Sequence, residues 1–196
     1  MVYVQLKEIE EYAKDNHVPI MLKDGIDFLT DYIKKNEIKS VLEIGTAIGY
    51  SAISMALVSN DIKITTIERD SKMYDLAIKN IKSFNLESRV EVIFEDALNV
   101  EINNKYDLIF IDAAKSQYIK FFEKFKYNLN FNGVIVTDNL FFHGLVENPE
   151  GCSRNTRQLV EKIRKYVEFL KENKEFDTKF ISIGDGISIS KKIKKS

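Results

Sequence analysis

Cysteine, proline and histidine are scarce in this sequence, and neither sign of charge prevails. A lone cysteine, Cys152, cannot make an internal disulfide, so a reducing compartment is expected. Two prolines and eight glycines are too few for an extended linker, and no repeat or low-complexity stretch divides the chain. No apolar run approaches the roughly 18 residues that a membrane-spanning helix needs. The opening MVYVQLKEIEEYAKDN is charged throughout and lacks the apolar stretch of a signal peptide. With 29 Lys+Arg against 30 Asp+Glu, the net charge of −1 gives no field that would gather a polyanion. Any contact with nucleic acid must then come from a local patch. His17 and His143 are isolated, and no Cys/His cluster argues for zinc. These absences lead to the expectation of one cytoplasmic domain over residues 1–196, with no membrane partner.

What is present is alternation. Leu6, Ile9 and Ala13 mark a first helix, and Leu22, Ile26, Leu29 and Ile33 mark a second at spacings of three to four. Pro19 suits the first turn of the second helix, and residues 1–36 are expected to cover a site. From residue 40, apolar runs and amphipathic segments take turns. Strands are expected at 40–44, 62–67, 90–94, 106–111 and 133–137, with helices at 51–59, 116–129 and around Met73–Phe84 and Leu159–Leu170. That pattern predicts an α/β fold: a mostly parallel sheet with helices on both faces. The last two strands, 176–183 and 187–193, flank only Gly184-Asp185-Gly186. Three residues close a hairpin but cannot hold a crossover helix, so this pair must be antiparallel. The expectation is a seven-stranded, Rossmann-like sheet with an antiparallel C-terminal hairpin.

In such sheets ligands lie beyond the carboxyl ends of the strands. The first strand runs into Glu43-Ile44-Gly45-Thr46-Ala47-Ile48-Gly49-Tyr50-Ser51. Gly45 and Gly49 permit a tight turn, but the G-x-x-x-G spacing lacks the G-x-G-x-x-G that seats a pyrophosphate. A ligand without phosphates is favoured. Glu68 ends the second strand, where a carboxylate can accept ribose hydroxyls. Glu95-Asp96-Ala97 ends the third, where Asp96 can accept from an adenine amino group. Each of these residues alone reads equally well as turn punctuation. Their recurrence at three successive strand ends is what favours a nucleoside site.

The fourth strand ends in Asp112-Ala113-Ala114-Lys115 and the fifth in Asp138-Asn139. If these strands are neighbours, Asp112, Asp138 and Asn139 converge. Two carboxylates and an amide are hard oxygen donors suited to Mg²⁺, or to Mn²⁺ or Ca²⁺ in its place. Lys115 lies close enough to the same pocket to act as a base. Asp and Asn also cap helices and end turns, and a lysine at a helix start is commonly solvated.

EIGTAIGYSA, IDAAK and TDN, in this order and spacing, resemble the metal-dependent catechol O-methyltransferase-like family, including the caffeoyl-CoA methyltransferases. The resemblance spans nearly the whole chain and implies the class I methyltransferase fold. It implies that Val18, Glu43, Gly45, Ser51, Glu68, Asp96, Ala97 and Asp112 surround S-adenosyl-L-methionine, with S-adenosyl-L-homocysteine as product. It further implies that Asp112, Asp138 and Asn139 hold Mg²⁺, that Lys115 is the catalytic lysine, and that the protein is a homodimer. In compact length and in the Asn16–Ile20 segment, the chain is most similar to the bacterial tRNA 5-hydroxyuridine methyltransferases. This makes a tRNA anticodon base the expected acceptor, with a small catechol-like phenol as the alternative. Phe141-Phe142-His143-Gly144, Arg154, Arg157 and the basic run Lys191-Lys192-Ile193-Lys194-Lys195 are candidate RNA contacts, or else core, interface and solvated tail. Two rivals remain, a nicotinamide oxidoreductase and a non-catalytic RNA-binding module. The missing pyrophosphate motif and the closing hairpin speak against the first.

Overall fold

The computed structural model describes residues 2–141, 144–146 and 153–193. Phe142, His143, Cys152, Lys194 and Lys195, singled out above, lie outside the described residues. Helices α1 (Val2–Asp15) and α2 (Lys23–Lys35) come first. The alternating core follows: β1 (Ser40–Ile44), α3 (Tyr50–Ala56), β2 (Lys63–Glu68), α4 (Ser71–Ser83), β3 (Val90–Phe94), β4 (Tyr106–Ile111), α5 (Tyr118–Phe125) and β5 (Leu129–Thr137). Helix α6 (Arg154–Glu172) precedes the closing pair β6 (Phe176–Ile181) and β7 (Ile187–Lys192). No helix among the described residues is long and apolar enough to cross a membrane.

The seven strands form one sheet in the order β3-β2-β1-β4-β5-β7-β6. The first five are parallel, and β7 runs antiparallel to both β5 and β6. The expected fold is therefore the observed one. Period-2 alternation sorts each strand's side chains onto two faces. Val41, Ile64, Leu108, Phe110, Val134 and Val136 pack with Ile26, Leu29, Ile33, Ile53, Ala77 and Ile81, the buried stripes of α2, α3 and α4. Leu42, Ile44, Ile109, Ile111 and Ile135 pack on the opposite face against Phe121, Phe122, Phe125, Tyr166 and Leu170 of α5 and α6. Both faces are covered, which is why the strands read as continuous apolar runs.

Three local expectations are corrected. Pro19 is not in a helical first turn: α2 starts at Lys23, with Leu22 as an extended cap residue that is 48% exposed. The segment 116–129 is not one helix, because 3-10 turns at Lys115–Gln117 and Lys126–Asn128 shorten α5 to Tyr118–Phe125. Lys191 and Lys192 are not a free tail. They belong to β7, paired in register with Asp177 and Phe176.

Candidate active site

The carboxyl ends of β1, β2, β3 and β4 open on a cavity of about 500 Å³. Gly45, Thr46, Ala47, Ser51, Glu68, Asp96, Ala97, Asp112, Lys115 and Asn139 all line it, so most of the expected site residues share one space. Gly45 is needed where it stands: its φ is +99°, and a Cβ there would lie 2.1 Å from the Asp112 carbonyl oxygen. The turn after β1 thus presses directly on the end of β4, a close approach that only glycine allows. Gly49, at φ +84°, opens α3.

Glu68 has a role the sequence did not reveal. One carboxylate oxygen accepts from the Ala47 amide at 2.8 Å, and the other accepts from the amides of Arg69 and Asp70 at 2.9 and 2.8 Å. It therefore clasps the glycine turn, in which Ala47 has φ +46°, while still facing the cavity. Asp96 similarly accepts from the Leu98 amide at 2.8 Å, which fixes the turn after β3. Glu43 lies beneath the cavity floor, fully buried. Its carboxyl accepts from Ser51 Oγ at 2.5 Å and from Thr66 Oγ1 at 2.6 Å, and Thr66 in turn shares a 2.6 Å hydrogen bond with Thr46. Burial pushes the Glu43 carboxyl up to about 8, against the opposing pull of those two hydroxyls.

Val18 packs against the core on the α2 side and does not line the cavity. The wall there is built from Pro19, Ile20, Met21 and Leu22 instead. Tyr50, which the sequence did not single out, also lines the cavity, and its hydroxyl donates to Glu10 of α1 at 2.6 Å. The N-terminal helix is thereby tied to the site.

The other end of the site is the junction of β4 and β5, which do pair as neighbours. Asp138 is 1% exposed and stands behind the cavity wall, while the half-buried Asp112 and Asn139 reach the cavity itself. Lys115 Nζ donates to Asn139 Oδ1 at 2.5 Å, and Asn139 Nδ2 donates to Asp138 Oδ2 at 3.2 Å. Asn139 adopts φ +63°, a left-handed conformation that asparagine tolerates better than most residues. Burial raises the carboxyl pKa values of both Asp112 and Asp138. The charge of Asp112 adds to the rise at Asp138, and Lys115 opposes both shifts. Tyr118, buried below, donates its hydroxyl to the Asp138 carbonyl at 3.1 Å. Its phenol pKa is raised by burial and by the two aspartates.

A family model for O-methyltransferases matches residues 3–193. The chain belongs to the O-methyltransferase family. A caffeoyl-CoA O-methyltransferase of Populus kitakamiensis is 28% identical, with 96% of this chain and 86% of that protein covered. Among solved structures, a candidate caffeoyl-CoA O-methyltransferase from Staphylococcus aureus is 41% identical, with a TM-score of 0.90 over 95% of this chain and 91% of that one. An O-methyltransferase from Bacillus cereus in complex with S-adenosyl-L-homocysteine is 26% identical, with a TM-score of 0.82 over 97% and 91% of the two chains. The family assignment replaces the nicotinamide oxidoreductase rival.

Of the remaining sequence candidates, Arg154 and Arg157 are exposed on the first turn of α6. Phe141 is half-buried against Gly186, where an added Cβ would come within 2.7 Å of its ring. Phe141 therefore packs on the closing hairpin.

Proposed function

We propose that this O-methyltransferase moves the methyl group of S-adenosyl-L-methionine to a ring hydroxyl that has a second oxygen on the adjacent carbon. The observation that carries this reading is one cavity with two chemically distinct ends. At one end stand the glycine turn, Glu68 and Asp96, and at the other Asp112, Lys115 and Asn139. The Bacillus cereus neighbour, solved with S-adenosyl-L-homocysteine, supports the cofactor. In this reading the turn at Gly45 admits the ligand's backbone-close approach, and Glu68 and Asp96 have lone pairs left for ribose and adenine after serving their turns.

Asp112, Asp138 and Asn139 fit a divalent cation. Oδ1 of the nearly fully buried Asp138 has no hydrogen-bond partner among the described residues, an expensive state for a carboxylate oxygen. The charge of Asp112 raises the pKa of the buried Asp138 carboxyl, a tension that a cation relieves. Among the described residues no group of three His, Cys, Asp or Glu side chains is placed to hold a metal, so the set depends on the Asn139 amide. When bound, Mg²⁺ would lower the pKa of the acceptor hydroxyl and fix two vicinal oxygens. Lys115, at the same end of the cavity, is the side chain in reach to take the hydroxyl proton. Carbon–oxygen bond formation then accompanies loss of the neutral thioether, provided oxygen, carbon and sulfur are in line.

Two acceptors present such an oxygen pair. The 5-hydroxyuridine of a tRNA anticodon offers its 5-hydroxyl beside the 4-keto oxygen, and its support is the resemblance in the Asn16–Ile20 segment. A small phenol offers two hydroxyls, and its support is the names of the caffeoyl-CoA relatives. The deciding experiment is transfer of labelled methyl, with Mg²⁺ or EDTA, to tRNA with and without 5-hydroxyuridine and to a catechol panel. Label entering only hydroxylated tRNA establishes the tRNA reading, and label entering catechols alone overturns it. Undiminished transfer in EDTA removes the metal.

A further inference from the structure

The turn between β6 and β7 does more than reverse the chain. Gly184, Asp185 and Gly186 in it meet two neighbours of the site, α2 and the segment after Asn139. A Cβ on Gly184 (φ +56°) would lie 3.3 Å from the Gly25 backbone, so this glycine lets the turn rest on α2 beside Leu22, a cavity-lining residue. Gly186 (φ +85°) gives the same close approach to the Phe141 ring. Between them, the Asp185 carbonyl accepts from the Phe141 amide at 2.7 Å, and the Gly186 carbonyl accepts from the Leu140 amide at 3.0 Å. The turn is thus bonded to the two residues that follow Asp138-Asn139. The Asp185 side chain is 5% exposed, and its charge acts on both Asp138 and Tyr118.

We propose that Asp185 is a positioning residue for the cation site of Asp112, Asp138 and Asn139. It anchors the 138–141 segment through the hairpin turn and adds a third buried negative charge behind the ligands. The proposal rests on the metal reading given under Proposed function. An outer carboxylate of this kind strengthens binding without touching the ion, because it holds the ligands in place and deepens the negative potential. Serving α2 and the 138–141 segment from one turn also explains why both neighbours of Asp185 are glycine. A side chain at 184 would meet the α2 backbone, and one at 186 would strike the Phe141 ring.

The test is Mn²⁺ binding, read from the loss of the free-ion electron paramagnetic resonance signal, on wild type, Asp138→Ala and Asp185→Asn. Affinity for S-adenosyl-L-homocysteine is measured on the same samples by calorimetry. Wild type should bind Mn²⁺, and Asp138→Ala should abolish that binding. Asp185→Asn should weaken it roughly 10-fold or more, the range expected when an outer-sphere partner is lost, while homocysteine-product affinity stays within about twofold. Unchanged Mn²⁺ affinity in Asp185→Asn overturns the proposal. So does an equal loss of both affinities, which would mark Asp185 as a residue of general structure. If the asparagine variant does not fold, Asp185→Ser is measured against the same two outcomes. Failure of the wild type itself to bind Mn²⁺ overturns the metal reading first and this proposal with it, a result distinct from a defect confined to Asp185.

Discussion

Glu43 shows how a single buried acid shapes the behaviour of the whole site. Two hydroxyls donate to it from within the floor of the cavity. Its carboxyl, pushed to about 8 from an ordinary 4.5, holds a proton in the folded protein that the unfolded chain has already released at neutral pH. Stability from this group is therefore complete below about pH 4.5 and drains away as pH rises through about 8. Glu43→Gln, which copies the protonated acid, should escape that loss. Its melting temperature should gain on wild type between pH 5 and pH 9, at about 1.4 kcal/mol per unit of pH over the affected range. For a chain of this size that is about 2–4 °C per kcal/mol. Parallel melting curves for the two proteins across this range would show that Glu43 titrates normally. Glu43 entered as a site residue through the family resemblance, yet burial, Ser51 and Thr66 determine its chemistry. Thr66 carried no signal of its own, because a threonine in a strand is ordinary until its partner across the sheet is known.

At the scale of elements, the amino-terminal ends of the strands need as much fastening as the carboxyl-terminal ends need openness. Asp107 supplies it. Its carboxylate accepts from the amides of Lys39 and Ser40, from Ser40 Oγ and from Asn130 Nδ2, joining the start of β1 to β4 and β5. Burial pushes its carboxyl up, but those four donors outweigh burial and leave the pKa below the usual range. Asp107→Ala strands two amides at the foot of the central strands and should cost on the order of 1–3 kcal/mol in chemical denaturation. Activity per folded molecule should be unchanged, since the cavity lies at the opposite strand ends. A variant as stable as wild type would mean that water replaces the carboxylate fully. Strands β1, β3 and β4 were legible in the sequence to the residue, because they are short runs bounded by polar residues, whereas β5 starts at Leu129 and not at the expected 133. Helix ends were less so. The segment 116–129 has a continuous aromatic stripe, Tyr118, Phe121, Phe122 and Phe125, and periodicity alone cannot reveal that its two ends tighten into 3-10 turns. Tyr166 escaped notice for a related reason. It lies between the residues that marked the long helix, and the Thr137 side chain meets its hydroxyl inside the core at 2.7 Å.

For the whole molecule, the cavity draws on segments scattered from Pro19 to Asn139, so a ligand that fills it binds the folded state alone. S-adenosyl-L-homocysteine at about a hundredfold its dissociation constant should stabilise the protein by roughly 2.7 kcal/mol. That predicts a rise in melting temperature of about 5–11 °C in differential scanning fluorimetry. NADH, lacking a pyrophosphate seat here, should leave the transition where it was. A shift with NADH and none with the homocysteine would undo the cofactor assignment. The alternation of strands and helices carried this architecture openly in the sequence. The depth of Asp138 behind the wall, and the replacement of Val18 by its four successors, could not be read from spacing, because both depend on how α2 and the hairpin come to rest on the sheet.

Strand β7 lies inside the sheet, between β5 and β6, although it follows β6 along the chain. Among the described strands β6 pairs with β7 alone, so it has no place to dock until β7 has been synthesised. The two must arrive together, as a hairpin closing on an exposed edge of β5. An unclosed β5 edge is a template for pairing with another chain, which makes every species short of this step prone to self-association. The order of assembly also separates the two halves of the chemistry in time. The turns after β1 to β3 can form on a nascent sheet, whereas Asp185 and the anchor on Leu140 and Phe141 come only with the hairpin. A half-made molecule would thus have the turns after β1 to β3 in place while the segment behind Asn139 was still unanchored.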